Sequence, residues 1–218
     1  MLNSISHFCG VLPIIAFILF NKRNRVGGYW VIFLYSILSF LTDTSLRFPW
    51  IQAHKFYVLS GFTVAEYSLF AYFLFESLIE KKFKTLLVIC SVLFYTIALF
   101  TIIAKNRESF DSLSASLEAS LLILYSILYL YEQIKDPAVL FVYHSKKFWI
   151  VIAFLLYFSS TLFLFIYAVT LTSQQHKNYW GINNIFDIIK NLLFVVSFAM
   201  KKNKQPEQSL EEFYLEQN

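Results

Sequence analysis

The stretch GINNIFDIIKNLLFVVSFAMKK, Gly181 to Lys202, decides how the chain is read. Its apolar second half and closing lysines suit a membrane-spanning helix, yet Asn183, Asn184, Asp187, Lys190 and Asn191 occupy its first half. A charge at the centre of a spanning helix costs about 2.5–3.5 kcal/mol on insertion scales, so such residues face a bundle interior or water. Helical spacing agrees, because Asn183/Asn184, Asp187 and Lys190/Asn191 repeat at i, i+3/i+4 and i+7 and share one face. One polar inner face implies other helices around it.

Composition supplies them. Apolar residues make 58% of the 218-residue chain and charged residues 15%, too much apolar surface for a soluble domain of this length to hide. Seven apolar stretches read as spans, at Ile5–Phe20, Gly28–Leu46, Phe56–Ile79, Thr85–Ala104, Leu113–Ile134, Phe148–Leu171 and Ile182–Met200. The expected fold is an all-α, seven-helix transmembrane bundle over residues 1–200, followed by a short tail over 201–218. The first stretch lacks a basic start and a small-residue cleavage pattern, and Lys22, Arg23 and Arg25 follow it, so it reads as a retained helix rather than a signal peptide.

Lysine and arginine counts give the orientation. The first, third and fifth loops and the tail hold 12 of them, whereas the opposite side holds five: Arg47, Lys55, Lys105, Arg107 and Lys177. The positive-inside rule then places the N-terminus outside and the C-terminus in the cytoplasm. Trp30 and Trp149 fall at cytoplasmic helix ends and Trp50 and Trp180 at outer ends, as interfacial belts do. The net charge of +4 belongs to this asymmetry, and no nucleic-acid partner is implied. Cys9 and Cys90 fall near opposite faces, which excludes a disulfide between them.

Orientation assigns depth. At 1.5 Å per residue, Glu118 and Asp187 lie roughly 8 Å in from the outer side, Lys190 about 12 Å and Glu66 about 15 Å, with Asp43 and Arg47 near the outer rim. Thr63 stacks with Glu66, Ser114 with Glu118 and Tyr125, and Ser36 and Ser39 with Asp43. These stripes are expected to converge into an outward-facing pocket of Asp43, Glu66, Glu118, Asp187, Lys190 and Asn191. Carboxyls outnumber cations there, so protonation, a bound cation, or a polar network pairing Lys190 with Glu66 or Asp187 are all open readings. Glu76, Glu80 and Glu132 read as solvated cytoplasmic ends. Tyr35, Tyr67, Tyr125 and Tyr157 sit mid-helix, where a hydroxyl needs a partner, and Ser159, Ser160 and Thr161 read as helix back-bonders.

Several chemistries find no support. There is no HExxH, no histidine pair at i, i+4, no GxSxG and no phosphate-binding glycine loop, and no metal site is expected. Glycine and proline are scarce within the spans, and no repeat is apparent, which speaks against a carrier with unwound helices.

Seven helices, an outside N-terminus and Lys190 in the last helix resemble the microbial rhodopsins. That resemblance implies retinal on Lys190 as a Schiff base, with Glu66 and Glu76 as counterion and proton donor. The chain departs from the family in its Asp187–Lys190 spacing of three, in lacking the tryptophan and proline clamp of the sixth helix, and in lacking the arginine of the third. The stretches DSLSASLEASLLILYSILYLYEQI, FWIVIAFLLYFSSTLFLFIY and INNIFDIIKNLLFVVSFAM, with Glu118, Glu132 and the Asn–Asp–Lys helix, also resemble a family of small seven-helix inner-membrane proteins of Bacteroidota. This second resemblance implies a bacterial inner-membrane location and no activity.

The expected function is receptor-like or sensory, with the pocket binding a small ligand or protons from outside and a cytoplasmic signalling partner reading the change. A proton- or ion-coupled transporter or channel, and an enzyme acting on lipid, are the alternatives. Leu210, Phe213 and Tyr214 in the tail fit either a frayed, disordered end or a short docking helix for a partner.

Overall fold

The computed structural model describes residues 2–20, 24, 27–104, 112–135, 142–168 and 173–200. Among them the regular structure is entirely helical. In chain order the helices are α1 (Leu2–Cys9), α2 (Leu12–Leu19), α3 (Tyr29–Ser45), α4 (Pro49–Gln52), α5 (Lys55–Ser77), α6 (Lys81–Ala104), α7 (Ser112–Lys135), α8 (Lys146–Ala168) and α9 (Ser173–Ala199), with a 3-10 turn at Val142–His144. The tail, with Leu210, Phe213 and Tyr214, lies outside the described residues, as do the basic residues of the first loop.

Five of the helices are long and apolar enough to cross a bilayer: α5 to α9, the last over Gly181–Ala199. Two further rods are shorter. α3 has 17 residues, and α1 and α2 form one broken rod. The break has a local cause. Pro13 stands in the first turn of α2, where it has no N–H to give the Cys9 carbonyl and its ring would crowd that oxygen. The chain turns instead through a bond from Val11 N to the Phe8 carbonyl. The single helix expected over Ile5–Phe20 is therefore two.

Other ends shift for equally local reasons. Gly27 and Gly28, at φ 101° and 78°, make the turn into α3, and a Cβ on Gly27 would stand 2.9 Å from the Tyr29 ring. α6 begins at Lys81 rather than Thr85, and α9 begins nine residues before Ile182. The added residues are polar, so hydropathy could not include them, although Gln and Lys favour helix.

The rods form a ring in chain order. α1–α2 touches α3, α3 touches α5, and α5 to α9 each touch the next until α9 closes against α1 and α2. α5 also meets α7 directly, behind α6. Burial reflects this: 44% of the apolar window of α7 is buried but only 22% of that of α6. The outward face of α6 presents Ile89, Val92, Leu93, Leu99, Phe100 and Ile103, a contiguous apolar surface suited to lipid.

The end of the bundle bearing Gly28, Lys81, Lys135, Lys146 and Ala199 is called the lower end below. It is tied by two polar clasps. Glu132, on α7, accepts hydrogen bonds of 2.8 Å from both Ile79 N and Glu80 N, capping the start of α6. Glu132 is 5% exposed, so it is a buried cap and not the solvated end that the sequence suggested. Glu80 itself pairs with Lys82 at 2.7 Å, whose hydrogen bond holds its carboxyl below the usual glutamate range, and more loosely with Lys135 at 3.8 Å. In the second clasp Lys146 Nζ donates to Asn24 Oδ1 at 2.9 Å, Asn24 Nδ2 donates to the Phe198 carbonyl, and Ser197 Oγ donates to the Lys146 carbonyl.

Replacing Glu132 by alanine leaves two partly covered N–H groups without their cap and is expected to cost about 1–2 kcal/mol in an unfolding titration. Glu76→Ala, at an exposed position on the same end, is expected to stay within about 0.5 kcal/mol. Equal effects of the two would show that the cap carries no stability.

Candidate functional site: a lysine relay across the bundle

Lys190 lies on α9 about 14 Å above its lower end at 1.5 Å per residue, and it is 1% exposed. An ammonium has three N–H donors, and one so deeply buried needs partners for them within the protein. Each finds a partner. Asp187 Oδ1, one turn back on the same helix, lies 2.7 Å away. The Tyr35 hydroxyl, on α3, also accepts at 2.7 Å. The face of the Tyr157 ring, on α8, lies 3.8 Å from Nζ to its centroid, a close cation–π contact. The spacing of three between Asp187 and Lys190 lets the pair close along one helix.

Each partner reaches further. Asp187 Oδ2 accepts from Ser6 Oγ, on α1, and from Asn191 Nδ2 at 3.3 Å. The Tyr35 hydroxyl is also the hydrogen-bond neighbour of the Glu66 carboxyl, on α5. Glu66 in turn is the ionisable neighbour of Glu118, on α7. A relay of Ser6, Asp187, Lys190, Tyr35, Glu66 and Glu118, with Tyr157 beside it, thus draws on every rod of the ring except α6.

Of the residues expected in the pocket, Glu66, Glu118, Lys190 and Asn191 are buried. Asp187 is partly covered. Asp43 stands at the rim, an exposed residue on α3 whose carboxyl feels Asp187, Lys190, His7 and Arg47. Glu118 lies within the electrostatic reach of Glu66 and of Tyr157. His7 stacks on Phe40 with ring centroids 4.8 Å apart, so α1 brings an imidazole to the same rim as Asp43. Thr161 Oγ1 lies 2.9 Å from the Tyr157 carbonyl and 3.2 Å from Asn183 Oδ1, back-bonding and linking α8 to α9 at once.

Tyr35, Tyr157, Ser6 and Lys146 are the polar residues that sequence reading undervalued. Tyr35 and Tyr157 carried one signal, a phenol at mid-helix depth. Ser6 and Lys146 carried none, since each gains its role from a helix far away in sequence.

Below the relay the interior turns aromatic. Phe70, Phe154 and Phe194 stand one turn lower on α5, α8 and α9, all fully buried. Their rings pack against Tyr35 and one another at centroid distances of 4.3 Å for Tyr35–Phe70, 4.2 Å for Phe70–Phe154 and 6.0 Å for Phe154–Phe194. A separate hydroxyl cluster joins α5, α6 and α7, where the Tyr67 hydroxyl lies 2.8 Å from Ser91 Oγ and 3.2 Å from the Tyr125 hydroxyl.

Among the described residues no group of three or more His, Cys, Asp or Glu side chains is placed to hold a metal ion. No protein-family profile, curated protein or solved structure matches the chain.

Lys190→Met removes the cation and leaves Asp187 without its charge partner, at an expected cost of about 3–5 kcal/mol. Adding Asp187→Asn is expected to recover part of that loss, because the unpaired charge goes with it. Equilibrium unfolding in bicelles reads both, and a double variant no more stable than the single one would count against the pair. Tyr157→Phe keeps the ring face and is expected to be near neutral, whereas Tyr157→Leu forfeits about 1–2 kcal/mol.

Proposed function

We propose that this chain is a receptor-like, seven-span protein of a bacterial inner membrane that senses protons or a small ligand from the outer side. The upper end, where α5 and α7 begin, is then outside, in keeping with the lysine and arginine asymmetry. The observation that carries the reading is the contrast across one helical turn. Polar and ionisable groups lead from the rim at Asp43 and His7 to Lys190 and Glu66, and a packed aromatic layer lies directly beneath them. A transporter needs the polar path to continue, whereas a receptor needs it to stop at something that can move.

The relay suits that task. Ser6 sits on α1, Asp187 and Lys190 on α9, Tyr35 on α3 and Glu66 on α5, so a change of charge at any one alters contacts between four rods. His7 borders Asp43 at the rim, so the relay begins where the outer side can reach it. The lower ends of these helices would carry the shift to the cytoplasmic loops and to a partner bound by the tail.

The rhodopsin-like alternative asks Lys190 to give up its ammonium contacts for a Schiff base. Its three donors are engaged by Asp187, Tyr35 and Tyr157, which favours a structural and sensing cation over a chromophore anchor.

A fluorophore at the exposed Glu76 position, in oriented proteoliposomes, tests the reading. Acidifying the outer side from about pH 7.5 to about 5.5 is expected to change its emission, and Asp187→Asn to abolish the change, with no proton flux above empty liposomes. Flux that depends on Glu66 or Asp187 would establish the transporter instead. Incubation with retinal is expected to give no visible absorption band; a band lost in Lys190→Met would establish the chromophore.

A further inference from the structure

The lower corner between α6 and α7 gathers cations and exposed apolar side chains that the lysine relay does not use. Glu80 stands between two lysines there, with Lys82 Nζ 2.7 Å from its Oε2 and Lys135 Nζ 3.8 Å from its Oε1. The lysine side chains are 63% and 62% exposed, so both ammoniums are open to a further partner. Each lies over an aromatic ring, Lys82 at 4.8 Å from the Phe83 centroid and Lys135 at 5.9 Å from that of Tyr131. The two rings meet edge to face at 6.3 Å, which gives the lysines of both helices one floor. The second acid of the corner, Glu132, has both oxygens engaged by backbone N–H groups.

Each lysine also ends a stripe that faces outward from the bundle. On α6, Leu86, Ile89 and Leu93 follow Lys82 at i+4, i+7 and i+11, and all three are exposed. On α7, Tyr131, Ile127 and Leu124 precede Lys135 at i−4, i−8 and i−11, and they are exposed as well. The two helices pack against each other, so the stripes rise together from the paired ammoniums. Ile79 and Ile134, beside the charges, are also open. Ammoniums at the foot of paired apolar stripes match the division of a phospholipid into headgroup and acyl chains.

The chemistry selects the occupant. Two ammoniums that reach the two oxygens of one carboxylate can also reach the two unesterified oxygens of a phosphodiester, whose spacing is similar. Exposed ion pairs such as those of Glu80 are worth little, so a phosphate can take the place of that carboxylate. A zwitterionic headgroup would bring an ammonium of its own against two lysines, whereas a headgroup of net negative charge would not. A free anion would gain nothing from the stripes.

We propose that Lys82 and Lys135 hold the phosphate of one anionic phospholipid, whose acyl chains lie along the outward stripes of α6 and α7. Glu80 is the internal competitor for the same two ammoniums. The bound lipid bridges the start of α6 to the end of α7, beside the Glu132 cap. The site requires the bundle to lie in a bilayer but does not require the lysine relay to sense anything.

Native mass spectrometry of the full chain in detergent, loaded with dioleoyl phosphatidylglycerol or dioleoyl phosphatidylcholine, tests this. One phosphatidylglycerol per chain is expected to be retained several-fold more tightly than phosphatidylcholine. Lys82→Gln and Lys135→Gln are each expected to weaken that retention roughly fivefold. Glu80→Gln, which removes the competitor, is expected to strengthen it. Lys84→Gln changes the charge equally but on the opposite side of α6, over the Phe75 ring, and is expected to have little effect. The unfolding midpoint of each variant in phosphatidylcholine bicelles separates lost binding from lost folding, and should one lysine variant fail to fold, the other decides. Equal retention of the two lipids would overturn the proposal, as would a loss in Lys84→Gln equal to that in Lys82→Gln, the mark of diffuse attraction. So would weaker retention in Glu80→Gln. Displacement of the lipid by sodium phosphate at equal ionic strength would assign the corner to a soluble anion instead.

Discussion

An ammonium buried at mid-bundle must have all three of its protons received, and most of the upper interior follows from how Lys190 meets that demand. Asp187 takes one from the same helix, the Tyr35 hydroxyl takes one from α3, and the Tyr157 ring offers its face from α8. None of these can retreat without stranding a charge in a medium that solvates it poorly. The crossing of α3, α8 and α9 is therefore fixed at one depth by a single side chain. Ser6 and Glu66, attached to the two polar partners, extend that constraint to α1 and α5.

Polar ties matter more here than in a soluble bundle of the same shape. Lipid tails are as apolar as leucine, so helices in a bilayer gain little from burying apolar surface against each other, and packing with interhelical hydrogen bonds sets register. The chain places such ties in tiers. The Lys190 relay and, at about the same depth, the Tyr67–Ser91–Tyr125 hydroxyls that attach the peripheral α6 form one, and the Glu132 and Lys146 clasps close the lower end. Between relay and lower clasps lie the aromatic rings of Phe70, Phe154 and Phe194, whose tight packing separates the tiers electrostatically.

Much of this was legible in advance, and the limits were physical ones. Period-3.6 spacing put Asn183, Asp187 and Lys190 on one face of the last helix, because side-chain direction along a helix follows from residue number alone. Whether Lys190 would pair with Glu66 or Asp187 was not legible, since two carboxyls stood at similar depth and only the packing of α9 against α3 decides which oxygen comes within reach. The solvated reading of Glu132 failed for a related reason. Its position near a lysine-rich end suggested water, but the turn after α5 folds back and presents two N–H groups to it. Pro13 was visible as a residue, and its effect as a helix break follows from its ring, yet hydropathy ran straight through it.

The sequence by itself determined the apolar helices, their chain order, the asymmetry of charge between loops and the inward turn of Lys190. All of these depend on composition and helical periodicity, which are properties of one segment at a time. The tertiary structure decided the pairing of Lys190 with Asp187, the capture of Tyr35 and Tyr157, and the burial of Lys146 and Glu132. Those depend on distances between residues up to 181 positions apart. No local pattern encodes such distances, because they are set only when seven rods settle on the one arrangement that leaves the fewest buried charges without a partner.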